Sequence, residues 1–342
     1  MNRLVNFIIK RAINAVLTLI LLIVLVFILI HLLAPNPIDL ARIYAGNPHA
    51  PPSELKAIEV QYGLNKPIYD QIVIYIKDIF TGHWGLDPVY KIPELTLIAR
   101  YLPRTLELVI PAVIISVLLG LFTGAFAASR RKKAGDYTVK GVYLFTWASP
   151  PFLVAIFIDL IIAFDLKLLP AYGFVNPLLK APPNVAFFPL ISALIDHDYA
   201  YAYSVLRHMI LPVVTLSLIS FGVITRLTRS SMLDIVESDY FKMSLMKGMP
   251  RSKAIRHVAL RNASIPLVTL IALEFAYSIA GGVVVEDIFD YHGLGWFIYV
   301  STVNFDYIAI LDSTVIIGIL VIVANFIADI LYGIIDPRVT LE

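Results

Sequence analysis

Residues 12–33 contain no Asp, Glu, Lys or Arg, and this run constrains the fold more than any other stretch. As an α-helix, 22 residues reach about 33 Å, enough to cross a hydrocarbon core of about 30 Å. Inside such a core every backbone N–H and C=O must be bonded within the segment, so the run commits the chain to a transmembrane helix. It is too long for the apolar core of a signal peptide, and no small-x-small cleavage site follows, so it reads as a retained span. Residues 1–11 mix Leu4, Val5, Phe7 and Ile8 with Arg3, Lys10 and Arg11. They form either an interfacial amphipathic helix or the charged lead-in to the first span.

The rest of the chain repeats this pattern. Of its 342 residues, 59% are hydrophobic and 15% charged, too apolar for an ordinary soluble domain. Further charge-poor runs at about 106–128, 141–164, 209–225, 264–285 and 308–335 bring the spans to six. The expected fold is an all-α integral membrane protein. Pro150-Pro151 implies a kink in the third span, and Pro212 lies inside the fourth. Residues 34–105 are the largest polar insert. Within it Ser53 is placed to cap a helix that Gly63 would end, and residues 67–80 put Ile68, Ile72, Tyr75, Ile76 and Ile79 on one helical face. The insert therefore reads as a small folded helical domain, between a first segment 1–33 and a transmembrane domain 106–342.

Charge orients the spans. The N-terminus, residues 129–140, residues 226–262 and the tail carry 17 Lys or Arg, against 10 on the other side, mostly in the long insert. Short basic loops stay in the cytoplasm, so both termini and residues 226–262 are expected there, with the insert external and the chain in the cell membrane. A net charge of +2 gives no sign of a nucleic-acid partner.

The cytoplasmic segment 226–262 reads as two helices. Met232, Ile235, Tyr240 and Met243 give a helical period, Gly248 is a left-handed stop, and Pro250 suits the first turn of a second helix. A helix–Gly–helix at this position is shaped to be gripped by another protein. The alternative is a basic hairpin lying on lipid headgroups. Arg226 and Arg229 read as anchors at the inner interface.

Chemistry of its own is not expected of the chain. It has no G-x-x-x-x-G-K-[ST] loop, no H-x-x-x-H, no G-x-S-x-G and no cysteine, which argues against ATPase, metalloprotease and hydrolase activity and gives no metal site. Charges inside spans are expensive and need a reason. Glu274 in the fifth span is either a translocation-path residue or a paired structural carboxyl facing a partner, and Asp159 in the third carries a weaker version of the same choice. Asp329 reads as structural. Gly281-Gly282 reads as a close-packing site near an outer gate, with Glu286 and Asp287 marking the water boundary.

The order Asp239-Tyr240, Lys247-Gly248, Arg251, Arg256-His257, Leu260-Arg261-Asn262-Ala263, Ile265-Pro266 resembles the EAA loop of ATP-binding-cassette importer permeases. It is closest to the form in the first permease subunit of the dipeptide/oligopeptide/nickel group. Most such loops begin Glu-Ala-Ala and end Leu-Pro, whereas this chain has Lys242-Met243-Ser244 and Leu260-Arg261. The opening through His31-Leu32-Leu33-Ala34-Pro35, Tyr62-Gly63-Leu64 with Pro67, Gly82-His83-Trp84-Gly85 and Leu102 to Glu107 are similar as well. So are Gly281-Gly282 with Glu286, Phe289 and Gly293-Leu294-Gly295, and the final Asp336-Pro337-Arg338.

The resemblance implies a translocation-pathway subunit that pairs with a second homologous permease, two ATPase subunits and an external solute-binding protein. ATP and Mg²⁺ would sit on the ATPases, and this chain would bind no cofactor. Its contact with them would be Asp239, Tyr240, Lys242, Ser244, Lys247 and Gly248, and its insert would face the docked binding protein. Di- and oligopeptides are the first substrate implied, with oligosaccharides or nickel chelates as the alternative. Rich use of Ile and Tyr without Cys leans toward a heat-adapted source, which favours sugars as that second choice. From another class, an ion-coupled secondary transporter or channel would use Glu274 and Asp159, but no internal repeat is visible. An enzyme or receptor-like scaffold would rest on the insert alone.

Overall fold

The computed structural model describes residues 2–34, 36–47, 49–182, 188–263 and 266–335. Pro35, Ile265 and the Asp336-Pro337-Arg338 motif lie outside the described residues. Helix α1 (Asn2–Leu33) is continuous, so the basic lead-in is the first turns of the first span and no separate interfacial helix forms.

The insert supplies α2 (Pro37–Ala45), α3 (Pro52–Gln61) and α4 (Ile68–Thr81). Ser53 does not cap α3, because the helix starts one residue earlier with Pro52 in its first turn. A proline there gives up an N–H that would have had no helical acceptor. Gly63, at φ +65°, lets the Leu64 N–H turn back to the Glu59 carbonyl at 2.9 Å. Leu40, Leu55, Leu64 and Ile79 then pack with Val26 and Ile30 of α1 and with Ile308 and Leu311 of α15 (Tyr307–Ile335). The insert is thus seated on the ends of the first and last spans.

Helix α5 (Glu94–Ser129) begins at 94 rather than 106, because Leu97, Ile98 and Tyr101 bury a face that continues the span. It lies along α9 (Tyr199–Glu237). The Ser116 hydroxyl donates to the Ser217 carbonyl at 3.1 Å, and the hydroxyls of Thr123 and Thr225 are 2.8 Å apart. A Cβ on Gly120 would fall 2.5 Å from Ile224, and one on Gly124 2.6 Å from Thr228. Paired numbers rise together, so the two helices run parallel, and small residues allow their close approach.

Parallel neighbours require the chain to return between them. The return is made by α6 (Ala134–Ala148), then α7 (Pro151–Ile158) running into a π-helical turn, Asp159–Asp165. The halves meet at 106° across Ser149 and Pro150, so the expected kink is a break. Arg207, near the start of α9, donates to the Leu168 carbonyl at 2.6 Å, which places the end of this broken pair beside the start of α9. It therefore counts as one crossing, and with the five long apolar helices it makes six. The short α8 (Pro189–Ile195) precedes α9.

Helix α13 (Leu267–Ile288) is antiparallel to α5, with Thr105 near the start of one bonded to Glu286 near the end of the other at 2.6 Å. The intervening helix α14 (Leu294–Val303) buries Leu294 and Phe297 but is too short to span. Helix α15 is antiparallel to α1: Arg11 meets Asp329 at 3.1 Å near one end, and Ile30 meets Ile308 and Leu311 near the other. Asp329 is structural, as expected. Both described ends of the chain consequently share one end of the bundle, opposite the insert.

A candidate docking helix and the charges inside the spans

The fourth span does not stop at 225. Thr228 and Met232 are buried, and α9 continues to Glu237, so residues 226–237 belong to the span helix rather than to a loop helix ending at Gly248. The break comes at Ser238. Its Oγ donates to the Ile235 carbonyl at 2.6 Å and accepts the Phe241 N–H at 3.3 Å, closing α9 and opening α10 (Asp239–Met246). Gly248, at φ +80°, ends α10 as expected, with Met249 N–H bonding the Ser244 carbonyl at 3.3 Å. Pro250 caps the next helix, α11 (Arg251–Ala254), which continues through a π-helical turn Ile255–Leu260 into α12 (Arg261–Ala263).

Phe241, with Leu245 one turn on, anchors α10. Phe241 is 2% exposed and packs with Met232, Ala254, Val258 and Ala128. The opposite face presents Asp239, Tyr240, Lys242, Lys247 and Gly248 to solvent. Lys242 bonds Asp239 at 2.9 Å and holds that carboxyl below its usual range. Ser244 differs from the other candidates: it is half-buried and its hydroxyl turns back to the Phe241 carbonyl at 2.7 Å. The sequence reading missed two residues of this surface. Met243 is 51% and Met246 80% exposed, flanking Tyr240 with flexible apolar side chains that adapt to a partner groove. The available signal was that Phe241 and Leu245, one turn apart, form the buried face of so short a helix and leave Met243 and Met246 outward. Arg251, Lys253, Arg256 and His257 are exposed on the following arm.

The helix hangs from a clamped corner. Asp136, wholly buried at the start of α6, accepts two bonds from Arg229 of α9, at 2.7 and 2.9 Å. It also accepts the Lys132 N–H at 3.0 Å, with Lys140 Nζ at 3.5 Å. Arg131 pairs with Glu237 at the last residue of α9. Arg229 is thus an anchor at this end, through a partner the sequence did not reveal.

Inside the bundle, Glu274 is 5% exposed, with Ser220 of α9 beside its carboxyl and Ser278 bonded to Ser220 at 3.4 Å. Asp159 opens the π-helical turn, half-buried, with Oδ1 lacking a partner. No hydrogen bond or ion pair joins the two among the described residues. The close packing expected at Gly281-Gly282 is not made among the described residues: a Cβ on Gly281 would meet none of them within 4 Å, and one on Gly282 would meet Glu286 at 3.9 Å. Close approach at this end is made instead at Gly293 and Gly295, where an added Cβ would fall 2.5 Å from Glu286 and 2.6 Å from Val283. Glu286 does not mark the water boundary. It is wholly buried, because the Thr105 hydroxyl and the Trp296 N–H, the latter at 2.9 Å, satisfy its two oxygens. Asp287 beside it is half-buried.

Comparison with known proteins agrees with this architecture. Residues 116–341 match the family model of binding-protein-dependent transport system inner membrane components, and residues 4–89 match the model of its N-terminal region. The dipeptide transport system permease protein of Escherichia coli is 30% identical over 98% of this chain and 99% of its own length. The oligopeptide transport system permease protein of Haemophilus influenzae is 31% identical over 98% and 99%. The dipeptide permease protein of Alkalihalophilus pseudofirmus is 31% identical over 91% and 92%. The relatives matched end to end are named as transport system permease proteins, and the family's description ties it to a binding protein. A six-crossing helical bundle with a projecting capped helix fits that membership: the chain belongs to the binding-protein-dependent transport system inner membrane components.

Proposed function

We propose that this chain is the first permease subunit of an ATP-binding-cassette importer for di- and oligopeptides delivered by an external binding protein. The observation that carries the reading is α10, which is set off by Ser238 and Gly248 and presents Tyr240, Met243 and Met246 to solvent together with Lys242 and Lys247. A short rigid helix seated in a groove of an ATPase transmits rigid-body motion to the span it continues. Two ATPase subunits carrying ATP and Mg²⁺ receive this helix and its counterpart from a second, homologous permease. The positive corner at 130–133 and the loop lie in the cytoplasm with both termini, and the insert faces the binding protein. The peptide substrate follows from the names of the full-length relatives.

The test is ATPase activity of the assembled complex in lipid, titrated with binding protein loaded with peptides, oligosaccharides or nickel chelates in parallel. Stimulation by loaded peptide-binding protein is expected. Substituting Gly248→Val, which strains the φ +80° turn at a site where an added Cβ meets nothing within 4 Å, should lower transport more than it lowers basal ATP hydrolysis. Stimulation by sugars or nickel chelates alone overturns the substrate. Transport that follows an ion gradient and ignores Gly248→Val overturns the importer role.

A further inference from the structure

Where the insert meets the bundle, three carboxyl groups face one another, and among the described residues no cationic side chain is bonded to any of them. Asp87 lies in the turn after α4, Glu94 opens α5 and Asp306 caps α15; their exposures are 0%, 0% and 2%. The turn is closed on itself, with Asp87 N–H bonded to the Ile92 carbonyl at 2.9 Å and Glu94 N–H to that of Gly85 at 3.1 Å. Asp87 Oδ1 accepts the N–H groups of Val89 at 2.8 Å and Tyr90 at 2.5 Å. Asp306 Oδ1 accepts the Ala309 N–H at 3.2 Å. Asp87 Oδ2, Asp306 Oδ2 and both oxygens of Glu94 are buried and receive no N–H or hydroxyl. Yet Glu94 and Asp306 both lie within hydrogen-bonding reach of Asp87. Carboxyl oxygens held together away from water need a proton between them.

We propose that Asp87, Glu94 and Asp306 form a proton-binding latch, in which a central Asp87 carboxylate accepts one hydrogen bond from a neutral Glu94 carboxyl and one from a neutral Asp306 carboxyl. The count balances: two bound protons leave a single negative charge, and Asp87 then has four donors, two backbone N–H groups and two acids. Asp87 is the member placed to be the anion, because it is the one within reach of both other carboxyl groups. The latch joins the 82–93 turn to the start of α15. Burial, and then the charge of Asp87, push Asp306 up to about 7, so the proton on that side is the one exchanged near neutrality.

The neighbouring groups supply no rival counter-charge. From the turn, Tyr90 lies beside Asp87 and Asp306, and Tyr101 of α5 lies beside Tyr90. The Lys91 ammonium is bonded to the Ala45 carbonyl at 3.2 Å, and His83 to the Thr81 hydroxyl at 2.8 Å. Further along α15, buried Asp312 faces Tyr44, Tyr62 and Tyr75 of the insert, with Asp78 behind them, and brings no positive charge. Losing the Asp306 proton sets a second charge against Asp87, and the turn separates from α15. The latch is closed below about pH 7 and opens above it, independently of the docking role of α10.

Hydrogen exchange of the assembled complex between pH 6.0 and 8.5, corrected for intrinsic rates, tests this. Peptides covering residues 84–94 and 304–310 should exchange about tenfold faster at the upper pH, with a midpoint near the Asp306 value. Asp306→Asn, whose amide donates to Asp87 at every pH, should keep the slow rate throughout. Asp87→Asn removes the central charge and should move the midpoint down by about one pH unit or more. Equal protection at both pH values in the wild type would overturn the latch. So would an unchanged pH response in both variants, or restoration of the slow rate at pH 8.5 by about 1 mM Ca²⁺, which would make the site a cation site.

Discussion

Breaking the clamp at the loop end should be the most damaging single change outside the apolar core. Asp136 is wholly buried, and its Arg229 partner has a side chain only 17% exposed, so neither charge is relieved by water. Replacing Arg229 by Met keeps the packing volume and deletes both charge-assisted bonds, leaving the carboxylate with the Lys132 N–H and Lys140 at 3.5 Å. Removing one partner of a buried pair costs about 3–5 kcal/mol. Lys140 is itself about a third exposed, with 32% of its side chain open, and can move closer, so the lower part of that range, about 3 kcal/mol, is expected. Removing the charge as well, in Asp136→Asn with Arg229→Met, should return most of the loss, because a neutral amide needs no counter-ion. The assay is reversible unfolding of the complex in mixed micelles, at fixed lipid and protein concentration. A single variant within about 1 kcal/mol of wild type would refute the reasoning, as would a double variant no better than the single.

Three further outcomes follow from the geometry. Gly120→Leu forces a side chain into Ile224, whose Cγ2 would be 2.5 Å from the new Cβ, and should cost about 1–3 kcal/mol in the same assay; wild-type stability would show that α5 and α9 separate freely. Thr105→Val removes the hydroxyl that donates to Glu286 and accepts the Leu294 N–H at 2.7 Å, and should cost about 1–3 kcal/mol, whereas Thr105→Ser should cost little. For Asp306, moved from 3.8 to about 7, the folded state holds a proton that the unfolded chain releases. Its contribution is therefore fully present below the unfolded value and is lost as pH rises through the folded one. Melting temperature should fall across that window, and Asp306→Asn should flatten the slope.

The spans were legible because lipid leaves a chain so few choices. Their helices were not, because a membrane boundary and a helix boundary are different things. Arg226 and Arg229 mark where apolar sequence ends, yet α9 runs on because Thr228 and Met232 continue its buried face and Arg229 finds Asp136. The charge-poor run of the second span begins at about 106, but α5 starts earlier because Leu97, Ile98 and Tyr101 pack against Leu294 and Phe297. Gly248 could be read locally, since a left-handed stop is a property of one residue. Ser238 could have been, since Ser-Asp ahead of an apolar residue is a helix-start signature. Glu286 could not: the Thr105 that buries it lies 181 positions away, and nothing near Glu286 announces it.

Parallel packing of α5 and α9 turns the topology into a statement that does not depend on charge. If Ser116 lies by Ser217 and Thr123 by Thr225, the chain must cross back between Ser129 and Tyr199, and among the described residues only the broken α6–α7 pair is there to do so. It follows that α10, the 130–133 corner and the start of α1 all share one side, and the 68–81 helix lies on the other. Charge decides only which side is which. The chain has no cysteine, so single-cysteine variants report this directly. Asn6→Cys and Met246→Cys, both exposed positions, should react with a membrane-impermeant maleimide only after cells are permeabilised, whereas Tyr69→Cys, at 67% exposure, should react in intact cells. All three reversed would refute the charge assignment and keep the six crossings. Met246→Cys and Tyr69→Cys labelling together would refute the crossings, and with them the argument that the broken pair passes through the membrane.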